Sequence, residues 1–307
     1  MIIVLCPNPS VDKMLHLDEL LPGEVNRSTG ETPYPGGKGV HVSMALKELQ
    51  TDNKLIGFWG GPAGEWIRKE CSRKEISTYG PELEGWTRTC LTILTPDAST
   101  RNTEILEKGP EITSGDLLKF FDISKSQTEN ARALCVSGSW PANSPDDVYQ
   151  VLKSICDENS IDLWVDASGE RLEQALEAEP FGVHINRQEA RGFFGGDLPA
   201  GEYARKLLNH CSMAAVTDGA NGLYLAYQSE VIHASCRVDH VISTVGSGDC
   251  LTAGVISEWY RSGDLIETAR TGTACGAANC IYPELGMIRR EDVRALKAAT
   301  TITRLED

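Results

Sequence analysis

The sequence predicts an α/β fold, a three-layer α/β/α sandwich with a mainly parallel central sheet, together with a small β-sheet lid. Short uninterrupted apolar runs alternate with segments of helical period over about 200 residues, as expected of a sheet that helices cover on both faces. Two further segments carry shorter alternating apolar runs, which are typical of strands in a sheet with one open face.

Each element of the sandwich rests on its own pattern. Within residues 40–49 and 250–259, mostly apolar side chains recur at positions i, i+3, i+4 and i+7, on one face of a helix. This spacing predicts two amphipathic helices. Residues 172–176 predict a shorter helix that ends before Pro180. Short apolar runs predict the strands, at residues 2–5, 134–137, 163–166, 183–185, 214–217 and 223–227.

The lid is predicted from two excursions, at about residues 12–33 and 86–108, which lack helical periodicity. The chain has 307 residues, and division by a typical domain length of about 150 suggests two units. Because the sequence has no repeat, low-complexity tract or linker, we expect one α/β domain over residues 1–307, from which the lid projects.

Composition excludes several classes of function. With 29 Lys and Arg against 44 Asp and Glu, the net charge of −15 makes nucleic acids and anionic membranes poor partners. No run of about 20 apolar residues is present to span a membrane, and the first apolar run is too short for a signal peptide. The ten cysteines are scattered without a C-x-x-C pair, which argues against a zinc site and for reduced thiols in a cytoplasmic protein.

The sharpest motif is TVGSGD at residues 244–249, directly before the helix predicted at 250–259. Its two glycines allow a tight turn and close approach to a ligand, and a helix start presents free N–H groups to an anion. The same spacing also fits an Asp that caps a helix after a glycine turn. A dinucleotide fingerprint is excluded, since Leu251 stands where the third glycine would be.

The second motif is PGGKG at residues 35–39, directly before the first predicted helix. It is not a Walker A loop, because Gly39 stands where a Ser or Thr would hold magnesium. By itself the motif indicates only a glycine-rich turn with a lysine at a helix start.

Further short motifs follow in order along nearly the whole chain: NPSVD at 8–12, GEVNR at 23–27, GGKG at 36–39, TR at 87–88, TEI at 103–105, GP at 109–110, SGS at 137–139, SGE at 168–170, NRQE at 186–189 and GSGD at 246–249. In this order they resemble the ribokinase-like carbohydrate kinases of the phosphofructokinase B family. The 1-phosphofructokinase and tagatose-6-phosphate kinase branch is the most similar.

The resemblance implies a catalytic group at the second glycine-rich turn. Asp249 would be the general base that takes a proton from a sugar hydroxyl. The N–H groups of Gly246, Ser247 and Gly248 would hold the transferring phosphoryl group.

The resemblance also implies two binding sites, for a sugar phosphate and for ATP with Mg²⁺. Lys38 and Arg88 would bind the phosphate of the substrate, and Glu189 would place magnesium through water. The full substrate site is Asp12, Gly37, Lys38, His41, Arg88, Ser139 and Arg27. The nucleotide site is His184, Asn186, Thr217, Gly219, Gly222 and Asn279.

The chain departs from the family pattern at four positions. His41 stands where the family usually has Asn, and His184-Ile185 stands in place of the Lys-Pro pair that normally precedes the N-x-x-E motif. Ser247 replaces Ala, and Asp218 replaces an apolar residue. The two histidines change the charge expected beside the substrate and the nucleotide phosphates.

The resemblance implies ATP-dependent phosphorylation of a ketohexose monophosphate, with fructose 1-phosphate to fructose 1,6-bisphosphate as the first choice. Tagatose-6-phosphate kinase, a non-catalytic sugar-phosphate-binding regulator and a kinase for an uncharged acceptor stay open as alternatives. The resemblance further implies a homodimer formed through the lid, and the fold admits a monovalent cation near the Gly246 turn.

Overall fold

The computed structural model describes residues 1–97 and 102–306. Its strands are β1 (Ile2–Cys6), β2 (Ser10–His16), β3 (Gly30–Gly36), β4 (Asn53–Gly57), β5 (Trp59–Gly60), β6 (Ser77–Tyr79), β7 (Glu82–Leu83), β8 (Arg88–Leu94), β9 (Asn102–Leu106), β10 (Ala133–Ser137), β11 (Asp162–Asp166), β12 (Gly182–Asn186), β13 (Met213–Thr217), β14 (Leu223–Tyr227), β15 (Glu230–Ser235) and β16 (Thr301–Leu305). Its helices are α1 (Lys38–Glu48), α2 (Gly61–Arg73), α3 (Ser114–Ser126), α4 (Val148–Asn159), α5 (Glu170–Glu177), α6 (Arg187–Phe194), α7 (Ala200–Leu207), α8 (Ser247–Ser262), α9 (Leu265–Asn279) and α10 (Arg290–Ala299).

A ten-stranded sheet forms the middle layer, in the order β16-β15-β14-β13-β12-β11-β10-β1-β4-β6. The seven strands from β13 to β6 pair in parallel, and β14, β15 and β16 extend one edge as antiparallel strands. The six strands predicted from apolar runs are all present. They are apolar because both faces of the sheet are covered, and every residue of β1 and β10 is buried.

Helices cover both faces of this sheet. One face carries α1, α2, α8, α9 and α10, which bury residues such as Leu46, Ile67 and Val255 against it. The other face carries α3 to α7, with Phe120, Tyr149 and other large side chains in its core. The prediction of a three-layer α/β/α sandwich is therefore confirmed.

A separate four-stranded sheet lies beside the sandwich, in the order β3-β2-β8-β9. Its outer pairs are antiparallel, and its central strands β2 and β8 are parallel. The strands come from the two excursions that predicted a lid, although residues 98–101 of the second excursion lie outside the described residues. The two-stranded sheet β5-β7 was not predicted.

The order of the strands creates a crevice above β1. From β1 the chain passes to β4 and β6 on one side, and β10 to β13 follow on the other side. Ligands of open α/β sheets bind at such a switch point, beyond the carboxyl ends of the strands. Both glycine-rich turns and the small sheet lie at this end of β1.

Candidate active site

The start of α8 has a backbone that is ready to receive an anion. The helix begins after Gly246, whose φ of 85° is left-handed, and no side chain caps its first turn. A Cβ at Gly246 would lie 2.6 Å from the backbone nitrogen of Gly286, so only glycine fits there. The N–H of Ser247 donates to the carbonyl of Thr244 at 3.2 Å. Asn279 is fully buried and donates to the carbonyl of Val245 at 2.9 Å, which fixes the turn from behind.

The start of α1 is the second glycine-rich turn. Gly37 precedes the helix with φ of 94°, and no side chain caps this helix either. Gly39 lies so close to β1 that a Cβ would be 2.7 Å from the carbonyl oxygen of Leu5. The tight contact with the end of β1 directs two side chains of α1, Lys38 and His41, into the crevice.

The first of these side chains, His41, lies between two carboxylates. Its Nδ1 is 2.8 Å from Oδ2 of Asp249, and its Nε2 is 3.6 Å from Oδ2 of Asp12. All three side chains are buried or nearly so, and Ser10 donates to Asp12 at 2.6 Å. The structure thus joins the predicted base to two predicted substrate residues.

Burial and charge act against each other in this group. Burial raises the pKa of Asp249, and the hydrogen bond and charge of His41 oppose the rise. Burial alone would lower the pKa of His41, but Asp249 and Asp12 raise it above its ordinary value. The pair therefore holds a shared proton at a pH at which a free imidazole would lose it.

A second charged group contains a residue that the sequence analysis missed, Asp166. Lys38 Nζ lies 2.8 Å from its Oδ1, and His184 Nδ1 lies 3.1 Å from its Oδ2. Burial alone would raise the pKa of Asp166, but Lys38 and His184 hold it well below its ordinary value. Asp166, Asp249 and Glu189 all raise the pKa of Lys38, with Asp166 the main cause. The position of Asp166 at the carboxyl end of β11 was the available signal.

Arg88 joins the small sheet to the end of β1. Its guanidinium donates twice to the carbonyl of Asn8, at 3.2 and 3.0 Å, and once to that of Glu107, at 3.2 Å. The Asn8 side chain donates to the backbone carbonyl of Lys108 and to the hydroxyl of Ser139. Asn8 therefore connects two predicted substrate residues, a role that its place in the NPSVD motif did not reveal.

Asn186 and Glu189 form a capping box at the start of α6. The Asn186 side chain accepts from the N–H of Glu189 at 2.9 Å, and Glu189 Oε2 accepts from the N–H of Asn186 at 2.8 Å. Over residues 1–97 and 102–306, no group of three or more His, Cys, Asp or Glu side chains could hold a metal ion. A single carboxylate such as that of Glu189 is enough for magnesium, because this ion usually keeps several of its waters and binds the phosphates of the nucleotide as well.

The remaining predicted residues lie at different distances from this group. Thr217 ends β13 with its hydroxyl 3.5 Å from His184, and Gly219 and Gly222 flank the short turn that follows. Arg27 is exposed in the connection between β2 and β3. This connection follows the His16–Gly30 pair, at the end of the hairpin opposite the Gly36 turn. A single chain thus does not bring Arg27 to Asp249.

No helix in the described part of the chain is long and apolar enough to cross a membrane.

The chain is similar to known proteins over nearly its full length. The pfkB family carbohydrate kinase model matches residues 8–286. The 1-phosphofructokinase of Bacillus subtilis (strain 168) is 31% identical over 310 residues, which cover 99% of this chain and 100% of that protein. The D-tagatose-1-phosphate kinase of Bacillus licheniformis is 31% identical over 311 residues, with 98% and 99% covered.

Solved structures show the same fold. Phosphofructokinase-2 from Escherichia coli in complex with substrates and products superposes with a TM-score of 0.89 at 23% identity, over 97% of this chain and 98% of that chain. This likeness extends over the sandwich and the small sheet together. On the family match and the full-length relatives, the chain belongs to the pfkB family of carbohydrate kinases.

Proposed function

We propose that the protein transfers the γ-phosphoryl group of ATP to a hydroxyl of a ketohexose monophosphate, with fructose 1-phosphate to fructose 1,6-bisphosphate as the first choice. The observation that carries the proposal is the start of α8, where a buried carboxylate, Asp249, follows an uncapped glycine turn. Membership of the pfkB family and the names of the two curated relatives support a phosphorylated ketohexose as the acceptor.

Asp249 acts as the general base. It accepts the proton of the attacking hydroxyl while the new O–P bond forms and ADP leaves. Burial raises the pKa of this carboxyl, which makes it a better base near neutral pH than an exposed one. A positioned base contributes about 10²–10⁴-fold to the rate.

The backbone of the α8 turn stabilises the transferring group. No side chain caps this turn, so the N–H groups of Gly246 and Gly248 would donate to the transferring group, and the N–H of Ser247 donates to the carbonyl of Thr244. The resemblance implied that Lys38 binds the substrate phosphate; we assign its positive charge to the transferring group instead, because Asp166 holds its ammonium group at 2.8 Å. Fixed donors of this kind stabilise developing charge without reorganisation.

The nucleotide site lies over β12 and β13. We assign to it His184, Asn186, Thr217, Gly219 and Gly222, and we assign to Asn279 an indirect role through the carbonyl of Val245. Glu189 would hold magnesium through water, and the ion would supply positive charge to the nucleotide phosphates.

The substrate phosphate is assigned to Arg88 with Ser139, and the sugar hydroxyls are assigned to Asp12 and the backbone of Gly37. Three of the five N–H donors of a guanidinium are used by carbonyls here. Two therefore remain for phosphate oxygens in a bidentate pair.

We also propose a homodimer through the small sheet. Large apolar side chains are exposed on it or on its connection, namely Leu21, Val25, Ile105 and Leu106. This dimer would explain Arg27, which a single chain leaves away from the site. We also propose that a monovalent cation binds near the Gly246 turn. We propose a cytoplasmic location as well, which suits the ten free cysteines.

An ADP-release assay with Mg²⁺-ATP tests the function. Fructose 1-phosphate, tagatose 1-phosphate, tagatose 6-phosphate and unphosphorylated fructose are compared, and we expect the highest kcat/KM for fructose 1-phosphate. Tagatose 1-phosphate is the second candidate because one full-length relative carries that name. A preference for tagatose 6-phosphate or for plain fructose would overturn the substrate assignment. Calorimetric binding of a sugar phosphate without any turnover would favour a regulator.

A further inference from the structure

His41 is the one titratable ring in contact with the proposed base, within the residues that the structure describes. Its side chain is 4% exposed, and it reaches Asp249 on α8 through Nδ1 and faces Asp12 on β2 through Nε2. The Nε2 atom is buried and has no hydrogen-bond partner among those residues. A buried polar atom without a partner points to a ligand group that completes it.

Packing leaves the ring little freedom. A Cβ at Gly286 would lie 2.6 Å from His41 Cβ, Cγ and Cδ2, so the loop before α10 presses its backbone onto the imidazole. The Nδ1 contact with Asp249 at 2.8 Å is a full hydrogen bond. Because α1 and α8 also pack side by side, the orientation of Asp249 depends on this ring.

We propose that His41 is a positioning residue for phosphoryl transfer, whose ring orients Asp249 and must be neutral before Asp249 can act as the base. The proposal rests on the proposed function, since it assumes that Asp249 receives the proton of the sugar hydroxyl.

The chemistry follows from the two protonation states of the ring. An imidazolium donates to Asp249 from Nδ1 and faces Asp12 with Nε2–H, and a carboxylate paired with it is a weaker base. A neutral ring still donates from Nδ1 but offers the Nε2 lone pair to a sugar hydroxyl. The second oxygen of Asp249 then takes the proton of the attacking hydroxyl, as the O–P bond forms and the bond to ADP breaks.

The charges around the ring favour its protonated form in the free enzyme. Asp249 from α8 and Asp12 from β2 face it, and both raise the pKa of His41. Lys38 on the same helix and Asp166 on β11 act on Asp249.

Two neighbouring strands of the central sheet, β1 and β10, contribute buried thiols without charge. β1 presents a thiol, Cys6, whose pKa burial raises to about 11, so it is neutral. The thiol of Cys135 on β10 is likewise neutral, because burial raises its pKa. The loop before α10 contributes the backbone of Gly286.

The dependence of kcat on pH tests the proposal. We compare kcat because the phosphates of the free substrates titrate in the same range and affect kcat/KM. Wild-type kcat should fall about tenfold per pH unit below the pKa of His41. His41→Asn keeps a donor near Nδ1 and should move this acidic limb at least one pH unit lower.

Two further variants serve as references. His41→Gln places its amide near Nε2 and should lose the orientation of Asp249, so kcat should fall at every pH. His210→Asn changes a ring that lies beside Phe193 and Phe194 and should leave the limb in place. If His41→Asn and the wild type share one acidic limb, the proposal is overturned.

NMR titration of the histidine rings gives a readout that needs no turnover. The signal that disappears in His41→Asn identifies the ring, whose pKa should exceed the ordinary value of about 6.5 and fall in Asp249→Asn. A wild-type pKa at or below that value would overturn the proposal. If no ketohexose phosphate is phosphorylated, the proposed function fails, and this titration still decides whether Asp249 controls the ring.

Discussion

Two glycine-rich turns begin helices that pack side by side, α1 and α8, and they use glycine for different reasons. At α1 the glycines bring the helix against the sheet: a Cβ at Gly39 would lie 2.7 Å from the carbonyl oxygen of Leu5. At α8 the first glycine, Gly246, is also required by packing, since a Cβ there would lie 2.6 Å from the backbone nitrogen of Gly286. The second, Gly248, differs, because the atoms nearest to a Cβ there belong to a side chain, the ring of His184, at 3.0 Å. Gly39 therefore faces the backbone of the sheet, and Gly248 faces a side chain in the crevice.

The same difference separates the chemistry of the two turns. The α1 turn delivers side chains, Lys38 and His41, whose charges are balanced by Asp166 and Asp249. The α8 turn delivers backbone N–H groups and one carboxylate. A glycine-rich sequence before a helix therefore does not predict whether side chains or backbone N–H groups will face the ligand. The contacts that the glycines make in the structure distinguish the two cases.

The largest effect is expected at the carboxylate of the α8 turn. Asp249→Asn keeps the shape of the side chain but removes its basicity, so kcat should fall about 10²–10⁴-fold. The assay is ADP release at saturating sugar phosphate. Asp122→Asn, on the exposed side of α3, is the matched control and should retain the wild-type rate. Near-normal kcat in Asp249→Asn would contradict the base assignment.

Most of the sandwich could be predicted because buried parallel strands have uninterrupted apolar sequences. β16 (TITRL) escaped prediction, since an edge strand with exposed alternate positions carries no such run. β4 escaped because its first two residues, Asn53 and Lys54, are only partly buried. Local pattern therefore located the strands that are covered on both faces and missed those at or near an edge.

Part of the candidate site could be located from local sequence pattern. The glycine turn before a helical repeat placed Asp249 at the start of a helix, where the structure has it, and its role as the base stays a prediction. Asp166 could not be located in this way, because a carboxylate at the end of a strand acquires its meaning only when Lys38, 128 residues away, reaches it. Arg27 shows that a motif can also be recognised without its position being known. Its motif resembles that of the family, but the strand pairing leaves Arg27 at the end of the hairpin that is far from the Gly36 turn.

Stability distinguishes the two turns most directly. Gly39→Ala forces a methyl group against the backbone of β1, and we expect the free energy of unfolding to fall by about 1–3 kcal/mol. Gly248→Ala places its methyl group nearest to the ring of His184, a side chain that can shift, so its loss of stability should be smaller while its kcat drops. Urea unfolding followed by circular dichroism measures both variants. Equal losses of stability in the two variants would contradict the conclusion that Gly39 is required for packing against the sheet while Gly248 is required for access to the crevice.

The charge that α1 delivers is expected to have a smaller effect on stability. Lys38→Met leaves Asp166 buried with His184 alone, and because Lys38 is partly exposed we expect a loss of about 1 kcal/mol.

The pH dependence of this loss follows from the lowered pKa of Asp166. Its contribution is present above the ordinary carboxyl pKa of about 4 and is lost only as the pH falls toward the lowered value. The difference from wild type should thus persist between pH 7 and pH 5 in urea unfolding. Lys54→Met, which loses a neutral partner, Gln127, is the control and should cost less.

The smallest effect is expected at Ser247, where this chain has a hydroxyl in the middle of the α8 turn. If the turn acts through its backbone, Ser247→Ala keeps every N–H group, and kcat should change less than twofold. The free energy of unfolding should stay within about 0.5 kcal/mol of wild type, since the side chain does not cap the helix. The same ADP-release and urea measurements apply. A tenfold loss of kcat would mean that the hydroxyl contacts the transferring group, and the α8 turn would then deliver side chains as the α1 turn does.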